Sequence, residues 1–214
     1  MTATPRGSMV SVDVLTLRYN SDLRQVQIAT SRRRTDPYQG KPALPGVLLY
    51  EGERLAAAAH RAVTTKLGLD VSALGQLVVF DQPYRDPRGS SLSVAMWAVA
   101  EEAGDADWCA FDELPALAFD HNVIVFECRP LLVEMLWREL EFTQALTGPA
   151  FPVSAAVAIT RTLSGVAPDR GNLNRRLATL RGLSVSSKRV IQGRGRPGTW
   201  WEWAHATSAP AVAG

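Results

Sequence analysis

Cysteine is scarce in this 214-residue chain, which has only Cys109 and Cys128. Neither forms a CxxC pair or has a histidine partner, so the pattern favours buried reduced thiols over a disulfide or a metal site. No apolar run approaches the roughly 18–20 residues needed to cross a bilayer, and no membrane association is expected. The opening MTATPRGSMVSVD has one Arg and no apolar core, which excludes the pattern of a secretory signal. Acid is scarce too, but only locally. Residues 150–214 hold 9 Lys and Arg against Asp169 and Glu202 alone, a net +7. Residues 1–149 hold 14 Lys and Arg against 19 Asp and Glu, a net −5. The overall +2 therefore hides a basic segment attached to an acidic one. That asymmetry suits a nucleic-acid-binding module joined to a domain of another kind, or a basic solvated tail. With 46% hydrophobic and 21% charged residues, the expectation is a globular cytoplasmic protein.

What is present is a mixture of strand and helix patterns. The runs 10-VSVDVLTLRY-19 and 25-QVQIATS-31 alternate apolar and polar residues around Asn20-Ser21-Asp22, predicting a hairpin. In 51-EGERLAAAAHRAVTTKLGL-69, Leu55, Ala58, Ala59, Ala62, Val63 and Leu67 recur at helical spacing, and Gly68 ends the helix. Strand-like runs at 74–80 and 91–100 flank the loop 81-DQPYRDPRG-89. A helix is predicted from near Asp120 to Glu141, with Val123, Ile124, Leu131, Leu132, Met135 and Leu136 facing inward. Thr147-Gly148-Pro149 breaks the pattern where the charge changes sign. Beyond it, 154–163 reads as a helix capped by Ser154 and ended by Gly165, and 169–182 as a second helix with Asp169 as N-cap. A strand–turn–strand is expected in 183–203. The fold class is α/β, with one domain over 9–142 and a second over 150–203; 1–8 and 204–214 are expected to be disordered.

The spacing Glu53-x7-Arg61-x-Val63, ending in Gly68-Leu69, resembles the second part of the Nudix box. That family hydrolyses nucleoside diphosphates linked to other groups. The resemblance implies an α/β/α sandwich with a mixed sheet. Gly46 lies one residue too far upstream of the motif, and the three helix glutamates fall at Ala62, Thr65 and Lys66. In the family those glutamates hold Mg²⁺, which demands hard oxygen ligands. An alanine has none and an ammonium repels the cation, so no metal site, no catalytic residue and no required cofactor are expected. Lys66 is either a solvated lysine near a helix C-terminus or a built-in cation for a diphosphate.

The segments 81-DQPYRDPRGSSLSVAMWAV-99 and 114-LPALAFDH-121 resemble those of the Nudix-related transcriptional regulators of the NrtR type, as does Lys41-Pro42-Ala43-Leu44-Pro45-Gly46. The resemblance runs over about 10–203. It implies a Nudix-like sensor of ADP-ribose or another NAD-related nucleotide, followed by a winged helix-turn-helix. The candidate ligand residues are Arg32, Arg34, Glu53, Lys66, Arg85, Arg88, Asp120 and His121. Arginine suits phosphate through its planar two-pronged fork. Asp120 and His121 could instead only cap the next helix or make a dimer contact.

In the basic segment, Leu173, Leu177 and Leu180 fall within about 60° of arc on a helix, with Arg175 opposite. An apolar face for docking and an Asn/Arg face for bases and phosphates are what a recognition helix needs. The stretch 151-FPVSAAVAITRTLSGVAPDRGNLNRRL-177 resembles the helix-turn-helix of the same regulators without a gap. Candidate DNA contacts are Arg170, Asn172, Asn174, Arg175, Arg176, Thr179 and Arg181, with Lys188, Arg189, Arg194 and Arg196 on a wing. The leading expectation is a homodimeric repressor of NAD-metabolism genes that binds operator DNA and a nucleotide effector. The alternatives are a Nudix hydrolase of the ADP-ribose pyrophosphatase type with a DNA-binding domain, and a DNA binder whose Nudix domain only dimerises.

Overall fold

A computed structural model describes residues 7–100, 106–186 and 199–204. The wing cations Lys188, Arg189, Arg194 and Arg196 lie outside the described residues, as do 1–6 and 205–214. Of the expected disordered ends, Ser8 is placed against Ser90 (Oγ to Oγ 2.9 Å) and the Ala204 amide donates to the Gly182 carbonyl at 2.7 Å.

Strands β1 (Met9–Asn20) and β2 (Gln25–Arg32) form the hairpin that their alternation predicts, in the register Leu17 to Ile28 and Asn20 to Gln25. The Asn20 Oδ1 accepts from the Asp22 and Leu23 amides and closes the turn. Short strands β3 (Pro42–Ala43) and β4 (Gly46–Leu48) pair with β2 and β1. Helix α1 (Leu55–Leu67) buries Ala58, Ala59, Ala62, Val63 and Leu67, and Gly68 stops it at φ 67°. Strands β5 (Val71–Phe80), β6 (Ser91–Ala100) and β7 (Asp107–Ala110) complete a seven-stranded mixed sheet. Its spine is the parallel pair β1–β6, from Met9–Ser91 to Leu17–Val99.

Both faces of the middle of β1 are covered, which explains the unbroken burial from Val12 to Leu17. Val12 and Val14 pack with the alanines of α1, whose small side chains bring the helix close to the sheet. Leu15 and Leu17, one residue out of phase, point to the opposite core. Ile124, Cys128 and Leu132 of α2 (His121–Met135) pack there. Burial raises the Cys128 thiol to about 12, so it stays protonated. Its inertness agrees with the reading of a structural thiol.

The long helix expected over 120–141 is two. Helix α2 ends at Met135 with Leu136 as its C-cap, Trp137 takes φ +64°, and α3 (Leu140–Thr147) follows as a separate helix. Apolar periodicity continues across the break because both helices face one core. Val123 and Phe126 are exposed, so the inward face of α2 is narrower than its composition suggests.

After α3 come β8 (Ala150–Pro152), α4 (Val153–Ser164), α5 (Arg170–Leu177), β9 (Leu183–Val185) and β10 (Trp200–Trp203). The three strands form a second sheet, ordered β8-β10-β9. Ser154 lies inside α4, whose N-cap position is Pro152; proline suits a helix start because its missing N–H would have no partner there. Asp169 does cap α5, accepting from the Asn172 amide at 2.7 Å. Helix α5 ends at Leu177, short of the expected 182. An aromatic series joins the two sheets, with Trp97 edge-on to Phe142 (5.0 Å) and Phe151 near both Trp137 (6.0 Å) and Trp203 (6.4 Å). No helix among the described residues is long and apolar enough to cross a membrane.

Candidate functional site

A polar cleft of about 330 Å³ opens at the end of the first sheet where β1 and β4 begin. Its floor is Asp13 on β1, with Ser93 Oγ at 2.5 Å and Ser11 Oγ at 3.2 Å from Oδ2. Gly46 is required beside it, since a Cβ there would lie 2.1 Å from Asp13 Oδ1.

Arg85 and His121 complete the floor. Arg85 forms a two-pronged pair with Asp120, at 2.9 and 2.8 Å, and lies 3.6 Å from Asp13. The Leu44 amide donates to His121 Nδ1 at 3.0 Å, leaving the ring proton on Nε2, which faces Asp13 Oδ1 at 3.6 Å. Burial lowers the His121 pKa against the opposing pull of Asp13 and Asp120, keeping the imidazole neutral.

Arg33, Arg88 and Lys66 form the wall. Arg33 is held by carbonyl oxygens, Pro37 at 2.6 Å and Thr35 at 3.4 Å, and lies over the Phe119 ring at 4.5 Å. Its pKa is lowered by burial and then by the neighbouring Arg88, against the opposing pull of Asp86, Asp13 and Asp36. Arg88 grips Asp86 at 2.6 Å; burial pushes that carboxyl up, but the Arg88 hydrogen bonds outweigh it and hold the pKa low. Lys66, on the last turn of α1, lines both this cleft and an adjoining pocket of about 120 Å³.

The expected ligand residues are therefore brought together unequally. Arg85, Arg88, Lys66 and His121 line the cleft, while Asp120 holds Arg85 from behind. Arg32 and Arg34 line the smaller pocket, and Arg33 between them faces the main cleft. Arg33 and Arg34 lie beyond the end of β2, and Arg33 lines both pockets. Glu53 is a brace: it accepts from Arg61 at 2.8 and 2.7 Å and from the Tyr50 amide at 3.0 Å, and the Arg61 bond lowers its pKa. Asp13 and Phe119 are additions the sequence reading lacked. Asp13 sits in an apolar strand with no motif around it, and Phe119 reaches the cleft through a backbone at φ +55°.

On α1, Ala62 is fully buried, Thr65 donates to the Arg61 carbonyl at 2.6 Å, and Lys66 points to the cleft. No group of three or more His, Cys, Asp or Glu among the described residues is placed to hold a metal ion. A larger cleft, about 580 Å³, lies between β1, α3 and β10, but its lining is largely apolar and backbone. The smaller one holds the chemistry suited to an anion.

The second candidate surface is α5. Leu173 and Leu177 are buried, while Arg170, Asn172, Arg175, Thr179 and Arg181 are exposed. Arg175 bonds Asn172 on that surface. Asn174 is half-buried and accepts from Trp201 at 3.4 Å, while Arg176 is exposed like its neighbours and donates to the Leu136 carbonyl at 3.4 Å. From α3 onward the order is helix, strand, helix, helix, strand, strand.

Comparison with known proteins bears directly on this arrangement. No protein-family model matches the chain. The structure of Shewanella oneidensis NrtR complexed with a 27mer DNA superposes with a TM-score of 0.74 at 22% identity, covering 91% of this chain and 93% of that one. The chain has the fold of the NrtR-type, Nudix-related regulators. A MutT/nudix family protein from Enterococcus faecalis superposes with a TM-score of 0.73 at 20% identity, covering 95% of this chain and 89% of that one. By sequence, the chain is 31% identical over 107 residues to an ADP-ribose pyrophosphatase of Methanocaldococcus jannaschii, covering 46% of the chain and 63% of that protein. It is also 31% identical over 117 residues to the ADPR responsive transcriptional repressor NtrR of Acinetobacter baylyi, covering 49% of the chain and 47% of that protein. The chain thus spans about half to under two thirds of the length of the curated relatives it matches.

Proposed function

We propose that this chain is a DNA-binding transcriptional repressor whose Nudix-like part senses ADP-ribose or a related NAD-derived nucleotide without hydrolysing it. The observation that carries this reading is one substitution pattern. Where catalysis would need a carboxylate cluster on α1, the chain has a buried methyl, a self-bonded hydroxyl and a cation facing an arginine-walled cleft. Such a cleft suits a diphosphate, with Arg33 and Lys66 supplying the charge that a metal supplies elsewhere. Arg33 has no carboxylate within salt-bridge distance among the described residues.

The reading unit begins at α3 rather than at residue 150, since α3 completes the six-element order of a winged helix. Helix α5 then presents Asn172 and Arg175 to base edges and Arg170 to phosphates, and the turn after it adds Thr179 and Arg181. Two copies are required if the operator is palindromic, as the half-site spacing mirrors a protein two-fold. Regulation of NAD metabolism and a cytoplasmic location belong to the same proposal.

The test is a fluorescence-anisotropy titration with DNA selected from a randomised pool, repeated with ADP-ribose and no divalent metal. ADP-ribose should bind with EDTA present and change the DNA affinity. DNA affinity indifferent to ADP-ribose, NAD and related nucleotides would retire the sensing half. The hydrolase reading rests on the likeness to the archaeal pyrophosphatase and predicts Mg²⁺-dependent ADP-ribose turnover lost in Glu53→Gln.

A further inference from the structure

We infer that α2 is a strut joining the nucleotide cleft to the helix-turn-helix, and that Arg129 is the positioning residue through which movement at one end reaches the other. This rests on the functional reading above, and it concerns how that site is read out.

The cleft end of α2 is fixed by charge. Asp120, the residue before the helix, is gripped by both prongs of Arg85, whose side chain is 5% exposed and lines the cleft. A bound diphosphate would compete with Asp120 for that fork, since a guanidinium offers parallel donors to either anion. Release of Asp120 frees the first turn of α2.

Nine residues on, about 13 Å along the axis, Arg129 leaves the same helix. Its Nε donates to the Leu163 carbonyl at 2.8 Å and its Nη2 to the Thr162 carbonyl at 2.7 Å. These carbonyls lie in the last turn of α4, where helix geometry leaves the acceptors without intrahelical partners. They stand immediately before Gly165 and the turn into α5. Asp112 holds the third corner at 2.5 Å from Nη1, and Arg129 lowers its carboxyl pKa; the guanidinium also lies over Phe111 at 5.2 Å. One side chain thus ties α2, the turn after β7 and the end of α4.

A second contact points the same way from the other partner. The carbonyl of Leu136, at the C-terminal end of α2, accepts from Arg176 of α5 at 3.4 Å. Helix α2 therefore touches the cleft at its start, the end of α4 in its middle and the recognition helix at its end. A packed helix with contacts to both sites is one physical form that coupling can take, even with Pro130 inside it. The coupling must be reciprocal, so DNA would alter nucleotide affinity by the same factor.

The experiment is hydrogen–deuterium exchange on the full chain in a double-variant cycle. Asp120→Asn, which weakens the Arg85 fork, should speed exchange over residues 163–177 without any ligand. In the Arg129→Gln background that effect should vanish, because the transmitting contact is gone. Equal effects of Asp120→Asn in both backgrounds overturn the proposal. Should Arg129→Gln not fold, Asp112→Asn keeps both carbonyl bonds and loosens only the third corner. It should shrink the Asp120→Asn effect; an undiminished effect again overturns it.

A ligand arm separates this failure from failure of the functional reading. With ADP-ribose as probe, the unaltered chain should change exchange at 163–177, whereas Arg129→Gln should bind it within about twofold and show no such change. Coupling of the usual size would alter DNA affinity roughly 5–150-fold in the unaltered chain. If ADP-ribose does not bind at all, the nucleotide reading fails, and additivity or non-additivity in the ligand-free cycle still decides the strut.

Discussion

The cleft and the recognition helix are both rich in arginine, and they hold it in opposite ways. In the cleft, Arg85 and Arg88 are gripped by Asp120 and Asp86, and Arg33 is fixed by carbonyls over an aromatic ring. On α5 and the turn after it, Arg170, Arg175 and Arg181 stand in solvent, and no carboxylate holds them among the described residues. A small anion needs donors already in place, because the entropy of ordering them would be charged against few contacts. A long polyanion offers many contacts and tolerates mobile side chains, since counterion release supplies the affinity.

The sharpest break of this contrast is removal of a gripped cation. Arg85→Met takes from Asp120 its two-pronged partner and leaves Asp13 with serine hydroxyls and a neutral imidazole, and should cost about 3–5 kcal/mol in urea unfolding. Arg175→Ala, at an exposed position, should leave the urea midpoint unchanged and weaken selected DNA by about 1–3 kcal/mol. Arg170→Ala or Arg181→Ala, if on phosphates, should each flatten the salt dependence of DNA binding by about 0.9 in log–log slope. Capping follows: Asp169→Ala should cost about 1 kcal/mol and Ser154→Ala much less, as only Asp169 caps its helix.

The smallest effect lies at His121. Its folded pKa is below the ordinary 6.5, so below that pH the unfolded chain takes up the proton more readily. Its contribution is complete above about pH 6.5 and is lost as the pH falls. His121→Gln, which can still accept from the Leu44 amide, should flatten that part of the stability–pH curve. An unchanged curve would place the titration elsewhere.

Local rules made much of the fold legible. The β1–β2 hairpin, the inner stripe of α1, Gly68 and the Asp169 cap depend on neighbours in sequence and were found there. The division of α2 from α3 was not, because Trp137 at φ +64° carries no sequence mark and both helices face one core. At the cleft, Arg85 and Arg88 followed from their motif, but Asp13 did not. Its role comes from β4, Ser93 and His121 meeting around it, from three distant parts of the chain. Arg129 was invisible for the same reason: its partners are 17 and 34 residues away.

The aromatic series between the two sheets also gives the molecule an optical gauge. Trp97, Trp137, Trp201 and Trp203 are all buried, and three of them sit in ring contacts with Phe142 or Phe151. Any shift of α3 or β10 against the first sheet alters the polarity and the quenching neighbours of these indoles. Ligand-driven rearrangement should therefore be readable as a change in intrinsic emission, with no label attached. Phe151→Leu, which removes a ring shared by Trp137 and Trp203, would show whether this pair rather than Trp97 carries the signal.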